Sequence, residues 1–107
     1  MIQTKEKIIS KKEFYCKNIF TQTLGLMFSP KRNLIFIWKS EKIRPIHMFF
    51  VFFSIDLFYL NKNKEVIEIK KDLKPFTFYN PKEKAQYLIE APAFTLSLKE
   101  KDKVEFD

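Results

Sequence analysis

The sequence predicts a mainly β protein, a compact antiparallel sandwich or barrel of short strands with one short helix. Short runs of alternating apolar and polar residues follow one another, with turn-forming residues between them. Residues 46–60 combine Phe with β-branched side chains, which favour an extended chain over a helix. With 107 residues, 17% of them aromatic, the chain is long enough for one domain with a single core.

Residues 46–60 are the stretch around which we expect the fold to be built. Side-chain alternation predicts two neighbouring strands here, Ile46–Phe53 and Ile55–Leu60. Both faces of the first strand are apolar, so we expect this region to be covered on both sides. In the second strand Asp56 shares a face with Phe58. Because an unpaired buried carboxylate is costly, Asp56 is the most informative residue of the sequence.

Further strands are predicted around Phe14 and Cys16, at Leu34–Trp38, Glu65–Lys71 and Gln86–Glu90, and near Val104 and Phe106. In the strand at residues 86–90, Tyr87 and Ile89 are expected on one side and Leu88 and Glu90 on the other. Residues 1–10 show no firm period, so we predict a flexible or edge segment there and a single β-rich domain over residues 11–107.

The short helix is predicted over residues 19–24. Asn18 is a suitable N-cap, and the only glycine of the chain, Gly25, follows the last helical residue. A glycine at that position supplies the positive φ that ends a helix. Leu26 and Met27 are then expected to turn inward onto the core.

Three connections are predicted from their composition. Lys39–Pro45 is expected to be a polar loop, and Asn61–Lys64 a tight hairpin turn in which asparagine tolerates left-handed backbone. Pro75 and Pro81 bracket an aromatic loop, Phe76–Asn80, that a central strand does not accommodate. Its aromatic side chains form either a binding rim or a lid over the core.

The composition restricts the function class. The net charge of +7 comes from eighteen Lys and two Arg spread along the chain, which is typical of a solvated lysine surface. Nucleic-acid readers concentrate their basic residues, so nucleic-acid binding stays an alternative without further support. A composition rich in Lys, Ile and Glu also indicates a protein that works at high temperature.

The single cysteine, Cys16, excludes an internal disulfide and argues against a four-ligand zinc site. The N-terminal residues contain no apolar segment of signal-peptide length, and residues 46–60 are too short for a membrane helix. We therefore expect a cytoplasmic protein with no membrane contact, no metal and no cofactor. The oligomeric state is left open.

Several motifs resemble a known family from about residue 14 onwards. They are Gly25-Leu26-Met27, Met48, Ile55-Asp56, Lys74-Pro75, Ala85-Gln86-Tyr87-Leu88-Ile89-Glu90 and Lys101-Asp102-Lys103-Val104. In this combination the chain resembles the domain of unknown function 192 family, small β-rich proteins of bacteria and archaea. The resemblance implies a distorted jelly-roll-like sandwich or barrel, and it implies no established activity.

The chain departs from the family pattern at several positions. His47 stands where the family usually has a tryptophan, and Phe49-Phe50 replaces a polar pair. Lys101 replaces a glycine before Asp102. If polar residues near Met48 form a site in the family, that site is altered or absent here.

The candidate site is an apolar pocket with Asp56 as its polar anchor and Glu90 as a second candidate carboxylate. Its lining residues are His47, Met48, Trp38 and Phe58. The alternative for Asp56 is a structural role, in which it accepts backbone N–H groups or pairs with a basic side chain. No nucleophile–base pair is evident, so we predict no catalytic residue and a module that binds a small ligand or a protein partner.

A second alternative is a small enzyme that uses Asp56 together with Glu90 or His47. Two carboxylates facing one cleft are suited to acid–base chemistry. The discriminating feature is distance, because carboxyl groups buried on opposite sides of the core exclude such a pair.

Overall fold

The structure is a computed structural model. It describes the backbone of residues 2–3, 8–10, 14–16, 33–47 and 52–106, and the side chains of residues 33–46 and 52–105. The elements in these ranges are strands: β1 (Ile2–Gln3), β2 (Ile8–Ser10), β3 (Phe14–Cys16), β4 (Leu34–Lys42), β5 (Ile46–His47), β6 (Ile55–Leu60), β7 (Val66–Leu73), β8 (Phe78–Tyr79), β9 (Ala85–Pro92) and β10 (Glu105–Phe106).

A five-stranded sheet with the order β3-β4-β9-β6-β7 organises the fold. Two smaller sheets accompany it, one with the order β10-β1-β2 and one formed by β5 and β8. The described strand pairs are antiparallel except β3 and β4, which run parallel. The predicted mainly β, antiparallel class is therefore confirmed.

β6 and β9 form the centre of the large sheet. β6 pairs with β7 on one edge and with β9 on the other, and its six residues are all buried. The prediction that residues 46–53 form a strand next to β6 is wrong, because Ile46–His47 pairs with β8 instead. Since both edges of β6 are already occupied, it has no edge left for residues 46–53.

The large sheet is apolar on both faces, which explains why its central strands read as nearly continuous apolar runs. One face carries Leu34, Phe36, Ile55, Leu57, Tyr59, Leu73, Ala85 and Leu88, with Trp38, Ile46, Phe53, Ile67 and Tyr79 against them. The other face carries Ile35, Phe58, Leu60, Val66, Ile89, Ala91, Leu96, Leu98 and Val104. The predicted side-chain alternation in β6 and β9 is confirmed by this division.

The β6–β7 hairpin forms at the predicted position. The Asn61 carboxamide oxygen accepts hydrogen bonds from the backbone N–H groups of Asn63 and Glu65. The left-handed residue of this turn is Lys64, with φ of 61°, rather than an asparagine. The asparagine therefore acts through its side chain, which supplies the turn with an acceptor.

Other boundaries differ from those predicted. β4 continues to Lys42, so most of the expected polar loop at residues 39–45 is strand. β9 continues through Ala91 to Pro92. The predicted aromatic loop contains the short strand β8, which pairs with β5.

Several predictions fall outside the described residues. They concern the helix at residues 19–24 and its motif Asn18, Gly25, Leu26 and Met27, together with Met48. Across the ranges that the structure describes there is no helix, and thus none long and apolar enough to span a membrane. The jelly-roll arrangement and the division at residue 10 stay predictions.

Candidate functional site

Asp56 is fully buried and accepts three hydrogen bonds. Its Oδ1 accepts the backbone N–H of Asp72 at 2.8 Å. Its Oδ2 accepts the backbone N–H of Phe94 at 2.9 Å and the Lys71 ammonium at 3.2 Å. A carboxylate with this set of donors is satisfied by the protein itself. This arrangement corresponds to the structural alternative for Asp56, with backbone and a basic side chain both used.

The strand register explains how Asp56 reaches these donors. The β6–β7 pairing shifts between Ile55 and Leu57, so Asp56 lies opposite an irregular part of β7. Asp72 and Phe94 both have positive φ, 55° and 62°. Left-handed backbone costs a non-glycine residue about 1–2 kcal/mol. Charge-assisted bonds to Asp56 hold both residues in this conformation.

Three exposed phenylalanines lie at the end of the sheet that Asp56 holds. Phe52, Phe76 and Phe94 are 64, 52 and 72% exposed, and we call them the phenylalanine patch. Phe52 and Phe76 meet edge to face with ring centroids 5.5 Å apart. The Ala93 N–H donates to the Ser54 carbonyl at 2.9 Å, which ties the turn of Phe94 to the chain just before β6.

Two lysines lie near the patch, Lys71 in β7 and Lys74 just after this strand. Lys71 lies 5.0 Å above the Phe58 ring in addition to its contact with Asp56. Lys74 pairs with Asp72 at 2.7 Å, and this hydrogen bond lowers the pKa of the Asp72 carboxyl. Lys71 shares the Asp56 Oδ2 with the N–H of Phe94, and Lys74 is two residues before Phe76 along the chain. The two lysine side chains are 41 and 65% exposed.

Glu90 is the other buried acid of the described residues, and it lies on the opposite face of the sheet. It is in register with Leu57 and Leu34, whereas Asp56 is in register with Ala91. Residues directly opposite in adjacent strands point to the same face, and neighbours in one strand point to opposite faces. The predicted acid–base pair of Asp56 and Glu90 is therefore not brought together.

The surroundings of Glu90 differ from those of Asp56. Its Oε2 is buried and has no hydrogen-bond partner among the residues described here. Burial raises the pKa of the Glu90 carboxyl to about 8. Burial and the nearby Glu90 also raise the pKa of Tyr59, whose O–H donates to the Arg44 carbonyl at 2.9 Å. Burial therefore favours the protonated form of the Glu90 carboxyl.

The predicted pocket residues divide between the two faces. Phe58 is buried beside Asp56, while Trp38 packs on the face of Glu90. Trp38 stacks on Phe36 at 5.7 Å between ring centroids, and the Arg44 guanidinium lies 4.3 Å from the Trp38 ring centroid. Phe58 and Trp38 therefore do not line one pocket.

The histidine of the predicted site is only partly described. The backbone of His47 pairs with Phe78 in β5, and its side chain lies outside the described residues, as does Met48. In the described ranges, no three His, Cys, Asp or Glu side chains are grouped as a metal ion requires.

Sequence reasoning missed the residues that surround Asp56. Asp72 and Phe94 are 16 and 38 residues away from it along the chain. Both donate through the backbone, so their side-chain types carry no signal for this role. The alternation that placed Asp56 with Phe58 located the acid but not its donors.

The sequence of the chain matches the family model DUF192, described as uncharacterized ACR, over residues 4–106. A UPF0127 protein of Pyrococcus horikoshii is 43% identical over 88 residues, covering 79% of this chain and 73% of the relative. A UPF0127 protein of Pyrococcus furiosus is 40% identical over 92 residues, covering 83% of this chain and 78% of the relative.

A third relative is longer. The UPF0127 protein of Thermococcus sibiricus is 38% identical over 94 residues, and the match covers 84% of this chain and 60% of that protein. These relatives come from heat-loving archaea, in agreement with the composition of the chain.

Two solved structures share the fold. A putative transcription regulator from Sinorhizobium meliloti has a TM-score of 0.80 at 16% identity, with 87% of this chain and 79% of that chain covered. A protein of unknown function from Novosphingobium aromaticivorans has a TM-score of 0.80 at 18% identity, with 88 and 74% covered. The family match extends over most of the sequence and confirms the resemblance found in the motifs. The chain belongs to the domain of unknown function 192 family.

Proposed function

We propose that this chain is a non-catalytic binding module and that the phenylalanine patch is its contact surface for a protein partner. The observation that carries the proposal is the placement of Phe52, Phe76 and Phe94, three exposed rings at one end of a sheet whose faces are otherwise well covered. Exposed aromatic side chains of this kind are typical anchors of protein–protein interfaces.

Backbone geometry supports a role for the patch beyond chance exposure. Phe76 and Phe94 have φ values of 61° and 62°, which is unusual for bulky residues. Backbone in sparsely populated regions persists where the surrounding structure enforces it, and such residues cluster at binding sites. Asp56 enforces the conformation at Phe94 directly. Use of the exposed Phe94 ring in binding would explain why the protein keeps both the strained backbone at Phe94 and the buried carboxylate of Asp56.

Charge favours an acidic partner. The chain carries a net charge of +7, and Lys71 and Lys74 border the patch. A segment that combines apolar anchors with Asp or Glu would satisfy both the rings and the ammonium groups, and the charge would accelerate its association. The few and dispersed arginines favour this partner over a nucleic acid.

The enzyme alternative receives no support from the geometry. Asp56 has its oxygens occupied by two backbone N–H groups and Lys71, and Glu90 lies on the other face. A general base has to reach its substrate with a free lone pair. Asp56 therefore acts as the support of the binding surface.

Selection from a random 12-residue peptide library displayed on phage tests the proposal. The wild-type protein is expected to enrich peptides that combine apolar residues with Asp or Glu. The double variant Phe76→Asn with Phe94→Asn removes both rings, and asparagine tolerates the positive φ at these positions. Its enrichment of these peptides is expected to be at least about tenfold lower than that of the wild-type protein. Ile43→Asn is the matched control, because Ile43 is exposed at the other end of the sheet, beyond the pairing of Lys42 with Ala85.

Two results would overturn the proposal. One is the absence of enrichment with the wild-type protein, or equal enrichment with the double variant. The other is tight binding of a single-stranded 20-nucleotide DNA at about 0.15 M salt without any peptide enrichment, which would assign the surface to nucleic acid. Circular dichroism of each variant confirms that it is folded before selection.

A further inference from the structure

We propose that Glu68 is a positioning residue of the binding surface, because its carboxylate fastens the far end of the chain segment that carries Phe76. This segment, residues 74–84, links β7 to β9 and contains β8. Glu68 lies in β7, where it is partly buried and in register with Tyr59. This role depends on the proposed function of the phenylalanine patch, and it adds a residue outside the patch that sets the shape of the patch.

The Glu68 carboxylate binds three residues of the segment. Its Oε1 accepts the backbone N–H groups of Lys82 and Glu83, both at 2.9 Å. Its Oε2 accepts the hydroxyl of Tyr79 and lies 3.2 Å from the backbone nitrogen of Lys82. Hydrogen bonds to an ionised acceptor are stronger than those between neutral groups. One side chain of the large sheet therefore holds the segment over residues 79–83.

Glu68 and Asp56 hold the segment at its two ends. Asp56 accepts the N–H of Asp72, two residues before the segment begins, whereas Glu68 binds its last part. Phe76 lies between these two points along the chain. In the described ranges β8 pairs with β5 and with no strand of the large sheet. The two carboxylates therefore supply polar links to the large sheet that strand pairing does not supply.

Tyr79 connects Glu68 to the core. Its ring packs against the face of the sheet that carries Tyr59, with 6.2 Å between the two ring centroids. Burial and the hydrogen bond to Glu68 raise the pKa of Tyr79 to about 12, so the hydroxyl keeps the proton that it donates. Tyr79 thus fixes the segment three residues after Phe76.

The backbone at Phe76 depends on this fastening. Its φ of 61° is unfavourable for a bulky residue, and such backbone persists where the surrounding structure enforces it. Two local supports are the fixed φ of Pro75 and the Thr77 hydroxyl, which donates to the Lys74 carbonyl at 2.6 Å. Release of the far end of the segment lets Phe76 relax, and its edge-to-face contact with Phe52 is then lost.

Three variants separate positioning from general stability. Glu68→Leu removes both acceptors, whereas Glu68→Gln keeps one carbonyl oxygen for the backbone N–H groups. Glu65→Leu is the matched control, because this partly buried carboxylate lies just before β7 and accepts the Asn61 side-chain N–H in the β6–β7 turn. Circular dichroism of each variant confirms that it is folded.

NMR reports the shape of the patch without any partner. Nuclear Overhauser contacts between the rings of Phe52 and Phe76 are expected in the wild type, in Glu68→Gln and in Glu65→Leu. In Glu68→Leu these contacts should be at least about threefold weaker, because the strained turn relaxes.

Amide hydrogen exchange shows whether the fastening itself is lost. In Glu68→Leu the amides of Lys82 and Glu83 should exchange at least about tenfold faster relative to the amide of Ile89, and in Glu65→Leu they should not.

A peptide selected with the wild-type protein measures the consequence for binding. Glu68→Leu is expected to bind it at least about tenfold more weakly, and Glu68→Gln and Glu65→Leu within about threefold of the wild type. If the library yields no peptide, the proposed function fails, and the contact between Phe52 and Phe76 alone decides the role of Glu68.

The inference is overturned by an unchanged contact between Phe52 and Phe76 in Glu68→Leu, by an equal loss in Glu65→Leu, or by unchanged peptide binding in Glu68→Leu. If Glu68→Leu does not fold, Tyr79→Phe takes its place, since it removes one donor to Glu68 and keeps the ring. Its contact between Phe52 and Phe76 should be weaker than in the wild type, and an unchanged contact would again overturn the inference.

Discussion

At the scale of single residues, the two buried acids of the described chain have opposite roles. Asp56 has three donors around its carboxylate, two of them backbone N–H groups. Glu90 has an oxygen without a partner in the same described part of the chain. Both residues were singled out by the sequence because carboxylates are costly on apolar faces. Asp56 is therefore a fully satisfied carboxylate, whereas the Glu90 carboxyl is only partly satisfied.

Replacement of Asp56 is expected to destabilise the protein strongly. Asp56→Ala leaves the N–H groups of Asp72 and Phe94 without their acceptor, and each buried donor left unsatisfied costs about 1–3 kcal/mol. Urea unfolding of both proteins measures the difference in the free energy of unfolding. Asp72→Asn is the control, since its carboxylate is partly exposed and contacts Lys74 at the surface, and it should change the stability far less. Equal effects of the two replacements would contradict the role given to Asp56.

The raised pKa of Glu90 predicts a pH dependence of stability. The carboxyl binds its proton more tightly in the folded protein, with a pKa of about 8, than in the unfolded chain, where 4.5 is the ordinary value. Between these values the folded state holds one more proton, so stability falls as pH rises, by about 1.4 kcal/mol per pH unit. Below pH 4.5 this contribution is fully present, and it is lost once pH has passed 8.

Glu90→Gln removes the titrating group and keeps the shape of the side chain. The difference in unfolding free energy between wild type and Glu90→Gln, measured by urea unfolding from pH 5 to 9 at about one-unit steps, isolates the contribution of Glu90 from that of the many lysines. The wild type should lose stability relative to the variant as pH rises. A difference that is independent of pH would show that Glu90 is ionised throughout in the folded protein.

The sequence predicted the position of the acids but not their environment. Alternation in β6 and β9 assigned Asp56 to the face of Phe58, and Glu90 to the face of Leu88, and the structure confirms both assignments. The alternative in which the two acids share a cleft depended on the register between β6 and β9, and the observed register places them on opposite faces. That register is a property of strand pairing, and side-chain type along one strand does not determine it.

At the scale of elements, the strands were predicted better than their partners. β6 has the predicted bounds, and its burial on both faces follows from its apolar composition. Residues 46–53 are similarly apolar, yet Ile46–His47 lies in the small sheet with β8. Two apolar runs adjacent in sequence favour a hairpin only when the chain between them turns and an edge is free. β6 has no such edge, because β7 and β9 occupy both sides.

The turn before the last strand carries a prediction about backbone conformation. Lys101 has φ of 74° and stands where the family usually has glycine. Relief of the left-handed strain outweighs the extra freedom that glycine gives the unfolded chain, so Lys101→Gly is expected to stabilise the protein by about 0.5–1 kcal/mol. Thermal unfolding measures the change. Lys99→Gly is the control, since Lys99 has no positive φ, and it should give no gain. A loss of stability in Lys101→Gly would contradict the strain inferred there.

At the scale of the whole molecule, the phenylalanine patch lies at one end of the large sheet, away from the buried Glu90. The phenylalanine patch lies where β6 begins and β7 and β9 end, and Glu90 lies on one face between β4 and β6. The net charge of +7 acts over the whole surface and favours acidic partners of any binding site. The composition predicted this charge and the mainly β class, whereas the location of the patch depends on contacts between residues far apart in sequence.

The structure also shows which aromatic side chains of residues 76–80 face the core and which face the solvent. The sequence left two alternatives for residues 76–80, a binding rim or a lid over the core. Tyr79 packs against the core and donates its O–H to Glu68, while Phe76 and Phe78 are exposed. Tyr79 therefore covers the core, and Phe76 and Phe78 stay at the surface. Pattern alone did not assign these faces, because all the residues concerned are aromatic.

The buried carboxylate of Asp56 holds the two turns that flank the patch. Amide hydrogen exchange followed by NMR measures this directly. The N–H groups of Asp72 and Phe94 should exchange slowly in the wild-type protein. In Asp56→Ala both should accelerate together, at least about tenfold more than the amide of Ile89 in β9, which reports general destabilisation. Rapid exchange of either amide in the wild type, or acceleration of only one of them in the variant, would contradict the claim.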